Sequence, residues 1–185
     1  MPLPLAPIMT LAISDTQAAT PATDRDAPVA LLAPRHYQER AVAAFEDAQL
    51  LLSAILPDAR IEHVGASAVP GAYSRGGVDL CVVVPRDGLR EALGVLGEAG
   101  FALRAGAPRS EQQCTLDAPD GDNPLTVHLV ETGSRFEAFT RLRDALRADA
   151  TLLARCNAIK IDAAARGEAA YRVAKTEFIR GVVRG

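Results

Sequence analysis

Tryptophan is absent from this chain, and lysine almost so: of 20 basic side chains, only Lys160 and Lys175 are lysine. Cysteine is sparse. Cys81, Cys114 and Cys156 are odd in number and widely spaced, and no Cys-x-x-Cys occurs, which argues against a zinc ribbon, a redox dithiol or a disulfide framework. Three buried thiols are the expectation. No apolar run approaches the ~18 residues of a membrane span. The first basic residue is Arg25, so the start lacks the basic segment of a secretion signal. These absences together point to the cytoplasm. A net charge of −3 supplies no basic excess to displace counterions along a polynucleotide, so broad nucleic-acid binding is not expected. A small basic pocket for one nucleotide remains compatible with that charge.

Two catalytic signatures are also missing. There is no Gly-x4-Gly-Lys-(Ser/Thr), hence no P-loop. Gly65-Ala-Ser67-Ala-Val69 lacks the second glycine of a nucleophile elbow, which disfavours a serine hydrolase.

Hydrophobic residues, by contrast, make up 49% of the 185 residues and charged ones 23%, enough for a single domain with a real core. Residues 1–33 read as a disordered tail. Five prolines from Pro2 to Pro28 interrupt any helix there and no amphipathic period emerges, so the tail is expected to be dispensable for folding. Order is expected from Pro34. Apolar residues from Ala41 to Ile55 recur at helical spacing within His36–Leu56, and Pro57-Asp58 ends that helix.

Arg60 to Val64 alternates as a strand, and 65–77 is a glycine-rich loop. Val78 to Val84 is a nearly unbroken apolar run, which predicts a central strand interrupted by one charge, Asp79. Asp87 is positioned to cap a helix over 88–99 that Gly100 stops. A short strand follows at 101–104. Strands at 112–117 and 125–131 flank the turn Pro119-Asp-Gly-Asp-Asn-Pro124 as a hairpin. Ser134 and Glu137 have the spacing of a capping box. Helices then fill 135–148, 151–166 and 168–183. The implied class is α/β, a small mixed sheet flanked by helices with a helical C-terminal portion.

Chemistry concentrates in Glu62-His-Val-Gly-Ala-Ser-Ala-Val-Pro-Gly71. A strand enters a glycine-containing turn with a hydroxyl, and the next strand offers an acid. Amides of the turn, with Gly65 and Ser67, can hold phosphate oxygens, and Asp79 can hold a divalent ion bridging them. A tight loop beside a locally paired acid is the plainer reading.

The segment resembles the GrpB-like signature Glu-His-(Ile/Val)-Gly-Ser-Thr-Ser-Val-Pro-Gly, and Arg75 to Leu80 resembles the family's following Lys-Pro-x-Ile-Asp-(Ile/Leu). Leu142 to Arg147 is similar to its Phe-Arg-Asp-Tyr-Leu-Arg. Lys160 and Tyr171 to Phe178 resemble its closing Leu-Lys and Tyr-x3-Lys-x2-Phe segments. The resemblance runs colinearly over about 35–183. It implies a domain of nucleotidyltransferase type, spanning 34–185, in which full enzymes carry Asp-x-Asp and a third acid that bind two Mg²⁺ ions.

Three departures stand out. Ala66 replaces the signature serine, Asp79-Leu80-Cys81 puts a thiol where the second carboxylate belongs, and the later strand reads Thr126-Val127-His128. The resemblance thus implies a protein that binds a nucleotide or another phosphate-bearing small molecule, with Mg²⁺-dependent transfer to a small acceptor as its fullest form. A degenerate nucleotide- or CoA-related binding module and a protein-interaction scaffold are the alternatives. Asp79 is the metal candidate, and Glu62 on the preceding strand is offered as a second acid. His63 and His128 are either bases facing one cleft with Asp79 or structural histidines. Arg75, Arg143, Lys160 and Lys175 are either phosphate binders or ordinary charges, and Arg143 could simply pair with Asp144.

Overall fold

The computed structural model describes residues 27–119, 124–134 and 138–184. After a 3-10 turn at Pro34–His36 come α1 (Gln38–Ile55), β1 (Arg60–Val64), β2 (Val78–Val84), α2 (Leu89–Glu98) and β3 (Ala102–Leu103). Then follow β4 (Gln113–Asp117), β5 (Leu125–Glu131), α3 (Ala138–Ala148), α4 (Ala150–Ala165) and α5 (Glu168–Arg184). The five strands form one mixed sheet in the order β1-β2-β5-β4-β3. Only the central pair, β2 with β5, is parallel.

Side-chain alternation gives the sheet two unlike faces. On one, Ile61, Leu80, Val82, Leu116, Val127 and Leu129 meet α1 and α2 in the main core. Helix α1 contributes Ala41 and Leu52, and α2 contributes Leu89, Ala92 and Leu96. The other face mixes a small apolar cluster, Val64, Cys81, Val83 and Val130 with Phe139 of α3, with the polar residues Glu62, Asp79, Thr115, Thr126 and His128. Helices α3 to α5 stand over this second face. It is the face that carries chemistry.

The expected elements are found in the expected order, with local corrections. Asp87 does not cap α2: its own backbone is left-handed at φ 65° and Gly88 takes the cap position without a side-chain bond. Gly100 does end that helix, at φ +89°. Helix α4 has a cap, since Asp149 accepts from the amides of Thr151 and Leu152 at 2.8 and 3.0 Å. The antiparallel pairing of β4 with β5 bears out the hairpin, while its tip, 120–123, and the 135–137 part of the Ser134–Glu137 capping box lie outside the described residues. All three cysteines are buried and none is in a disulfide. Among the described residues no helix is long and apolar enough to cross a membrane.

Packing also begins before Pro34. Val29 donates its amide to Ala164 and joins Leu31 against Ala163, Ala164 and Tyr171, while Leu32 bridges Ser74 and touches the main core. These three apolar side chains are each partly buried, so the expected tail is in contact with the domain from Val29 on, while its residues 1–26 lie outside the described residues. A chain starting at Pro34 should therefore melt roughly 5–10 °C below one starting at Ala27, from about 1 kcal/mol per half-buried side chain. Equal melting temperatures would show that the segment contributes nothing.

Candidate functional site

Loop 65–77 joins β1 to β2 and bounds a cavity of about 330 Å³ between the polar sheet face and helices α3 to α5. The loop is held by side chains from three helices. Tyr37 Oη donates to Ala72 O at 2.8 Å, and Gln38 Nε2 to Val69 O at 2.7 Å. Arg143 donates to His63 O at 2.9 Å, and Arg147 to Ala68 O at 2.6 and 2.9 Å. From α4, Asn157 bonds Gly71 O and Tyr73 N, and Lys160 Nζ donates to Tyr73 O at 2.9 Å. Most of these partners are loop carbonyls. Cationic and amide side chains thus fix the loop mainly through its carbonyls, while the amides of Val69, Gly71, Ala72, Tyr73, Ser74 and Gly76 are also hydrogen-bonded.

Asp79 sits on the cavity wall. Its side chain is 35% exposed, and Oδ1 lies 3.6 Å from His128 Nε2. Burial alone would raise its carboxyl pKa, but the approach of His128, then Lys175 and Arg104, outweighs that and holds it below the ordinary carboxylate range. The His128 ring stacks on Phe139 with centroids 4.3 Å apart. Gly65, at φ +72°, passes so close that a Cβ there would stand 2.3 Å from Asp79 Oδ2.

Two lysines complete the polar part. Lys160 is 7% exposed, and its ammonium is disfavoured chiefly by burial, with Lys175 adding to the effect and Cys156 and Asp79 offsetting part of it. Among the described residues neither lysine lies within ion-pair distance of a carboxylate. Phe139, Leu142, Leu146 and Phe178 supply apolar lining to the same cavity.

Of the residues expected from sequence, Asp79, His128, Gly65, Arg75, Arg143, Lys160 and Lys175 line this cavity. Three do not. His63 is on the opposite sheet face, across from Leu80, where its ring stacks on Phe45 at 4.5 Å. Ser67 is 1% exposed and its Oγ is 2.9 Å from His63 Nε2, so the hydroxyl is spent on that buried pair rather than on the cavity. Glu62 shares the Asp79 face but is gripped by Arg143 at 2.7 Å and Arg60 at 2.8 Å. Against the cost of burial, these hold its carboxyl pKa low.

Two of the arginines are also occupied. Arg143 bonds Asp144 as well as Glu62, and Arg75 pairs with Glu168 at 3.1 Å. Sequence reading missed Arg104, which lines the cavity while held by both Asp117 oxygens and by Thr126 Oγ1 at 2.6 Å. It also missed Tyr171 and Ser74.

The donor set does not fit a two-metal site. Glu62 is tied to arginines, Cys81 is buried among Val64, Val83 and Val130, and Asp79 faces His128. Among the described residues no group of three His, Cys, Asp or Glu side chains is arranged to hold a metal ion. The cavity is instead cationic: two lysines face one histidine-paired carboxylate.

Residues 34–184 match the family model described as GrpB protein. A UPF0157 protein of Vibrio cholerae is 34% identical over 147 residues, covering 80% of this chain and 78% of the relative. A UPF0157 protein of Halalkalibacterium halodurans is 32% identical over 93 residues, or 49% of this chain and 46% of that one. Among solved structures, the GrpB protein of Enterococcus faecalis superposes with a TM-score of 0.62 at 17% identity, covering 82% of this chain and 98% of that one, a likeness of fold. The Cid1 poly(U) polymerase gives a TM-score of 0.46 at 18% identity, with 67% of this chain spanning 38% of the polymerase, too loose a likeness to carry chemistry. Colinear motifs, a family match over most of the length and a shared fold agree: the chain belongs to the GrpB family.

Proposed function

We propose that the cavity binds a small molecule carrying a phosphate on an apolar or aromatic body. The observation that supports this is the pair Lys160 and Lys175, without a carboxylate partner among the described residues, in a cavity whose lining also includes Phe139, Leu142, Leu146 and Phe178. A buried Lys160 and an exposed Lys175 in a cavity that also has apolar lining favour a ligand with one anionic end. The size, about 330 Å³, suits a ligand in the small-molecule range. A nucleotide meets both requirements.

The reading is one of binding. Two-metal transfer chemistry asks for a second acid, and its position on β2 is held by Cys81. A nucleotide-binding relative of the transferases that no longer transfers is the form this site supports best. A thermal-shift screen of nucleotides, CoA derivatives and simpler phosphate esters, run in EDTA, tests it. At least one class should raise the melting temperature without a divalent ion. Lys175→Ala should weaken the best ligand about tenfold, the loss of one charge-assisted hydrogen bond, with the melting temperature of the free protein unchanged. No stabilisation by any phosphate compound, or binding indifferent to Lys175, would sink the proposal.

A further inference from the structure

We infer that Lys160 is an amine nucleophile that captures a phosphate-bearing aldehyde as an imine inside the cavity. This rests on the phosphate-binding reading and assigns the covalent partner of the same site. The argument begins with placement. Lys160 is 7% exposed, lines the cavity and has no carboxylate within ion-pair distance among the described residues. Among the described residues its hydrogen bond is to Tyr73 O at 2.9 Å, which turns one N–H toward the loop, while the side chain lines the cavity.

A lysine needed only for charge would gain nothing from such burial, since desolvation penalises the ammonium and leaves the neutral amine untouched. Cys156 and Asp79 offset part of this, while Lys175, which lines the same cavity, disfavours the Lys160 ammonium further. Desolvation together with a neighbouring cation is the combination that activates lysine amines toward carbonyl carbon. Lys175 is itself exposed to solvent and lines the same cavity, where it would meet the phosphate.

The chemistry balances without an added reagent. The neutral amine's lone pair forms the C–N bond to the aldehyde carbon while the carbonyl π pair moves to oxygen. Two nitrogen-bound hydrogens and the aldehyde oxygen then leave as water, and the C=N bond remains. Where the lysine begins as an ammonium, one proton is first released to solvent. Nothing is oxidised or reduced. Tyr171, a buried residue of the same cavity lining whose hydroxyl is kept protonated by burial, is available to donate to the departing hydroxyl.

The chain makes the test clean, because its only side-chain amines are Lys160 and Lys175. The full-length protein is incubated with pyridoxal 5′-phosphate, reduced with borohydride, digested and mapped by mass spectrometry. Parallel samples use pyridoxal, which lacks the phosphate, and pyridoxine 5′-phosphate, which lacks the aldehyde. The expected result is label concentrated on Lys160, suppressed by excess pyridoxine 5′-phosphate, weaker with pyridoxal, and spread over both lysines once the protein is denatured. Lys160→Arg keeps a cationic donor for Tyr73 O and should abolish the cavity label while pyridoxine 5′-phosphate still raises the melting temperature. If that variant does not fold, the wild-type map alone still decides.

Label on Lys175, or equally on both lysines of the folded protein, overturns the assignment. Stabilisation by pyridoxine 5′-phosphate with no reducible adduct at Lys160 overturns the imine and leaves the phosphate reading standing. Equal labelling of Lys160 by pyridoxal, unprotected by the phosphate analogue, overturns the ligand class and the phosphate reading with it.

Discussion

Between pH 6.5 and 4.5 the folded protein should lose about 2–3 kcal/mol of stability through one side chain, His63. Its pKa is pushed down from 6.5 to about 4, first by burial and then by the Arg147 charge, with Asp79 partly offsetting and Arg143 adding a smaller push. A histidine with a depressed folded pKa binds fewer protons folded than unfolded between those two values. Its contribution is therefore complete above pH 6.5 and is lost as the pH falls toward 4. The carboxyls of Glu62, Asp79 and Asp144 are also held low, but what they contribute is lost only below the unfolded carboxylate range near 4. The window above 4.5 therefore isolates the histidine. Urea unfolding of the wild type and of His63→Gln at half-unit pH steps gives the answer by difference. The variant should lack this share of the slope, and identical slopes would place the titrating group elsewhere.

Gly65→Ala should be costly out of proportion to one methyl group. The left-handed backbone at φ +72° charges an alanine about 1–2 kcal/mol by itself. The new Cβ would also stand 2.3 Å from Asp79 Oδ2, so the carboxylate must leave its place beside His128 or the loop must shift. A total loss of roughly 2–4 kcal/mol is expected, with ligand binding impaired as well. The steric share can be separated from the backbone share. In an Asp79→Ala background the collision has no partner, so Gly65→Ala should cost only the backbone part. Additive losses in the double variant would mean that the glycine is required by the turn alone.

The strands of this fold were legible because period-2 patterns and apolar runs leave little choice: β1, β2 and β5 have the bounds that the residues suggest. The site was only partly legible, and strand parity explains the misses. His63 alternates with Ile61, so a core Ile61 commits the histidine to the core face, opposite Asp79. Glu62 has the right parity, yet its arginine partner on α3 comes from 81 positions away, beyond any local pattern. Ser67 looked like a phosphate donor because a loop hydroxyl is usually wet, and its bond to a buried ring on the other face is a tertiary fact. Arg104 escaped because it follows a two-residue strand, β3, that has almost no period, and its partners Asp117 and Thr126 meet it only through sheet pairing. The lysines were found for the opposite reason. In a chain this poor in lysine, two of them in motif positions stand out.

The stapling of loop 65–77 has a kinetic consequence. Its anchors come from sequence separations of 29–35 residues on the N-terminal side and 79–87 on the C-terminal side. The central β2–β5 pairing spans 47 positions, from Val78 to Leu125, and α1 packs in the same core, whereas the α3 and α4 anchors reach back 79–87 positions. Closing such long loops comes at an entropic cost before their contacts give anything back. Substitutions in these anchors should therefore act mainly on the rate of unfolding rather than of folding. A ligand that bridges the loop and helices α3 to α5 would then oppose release of these anchors and act as a latch on the domain.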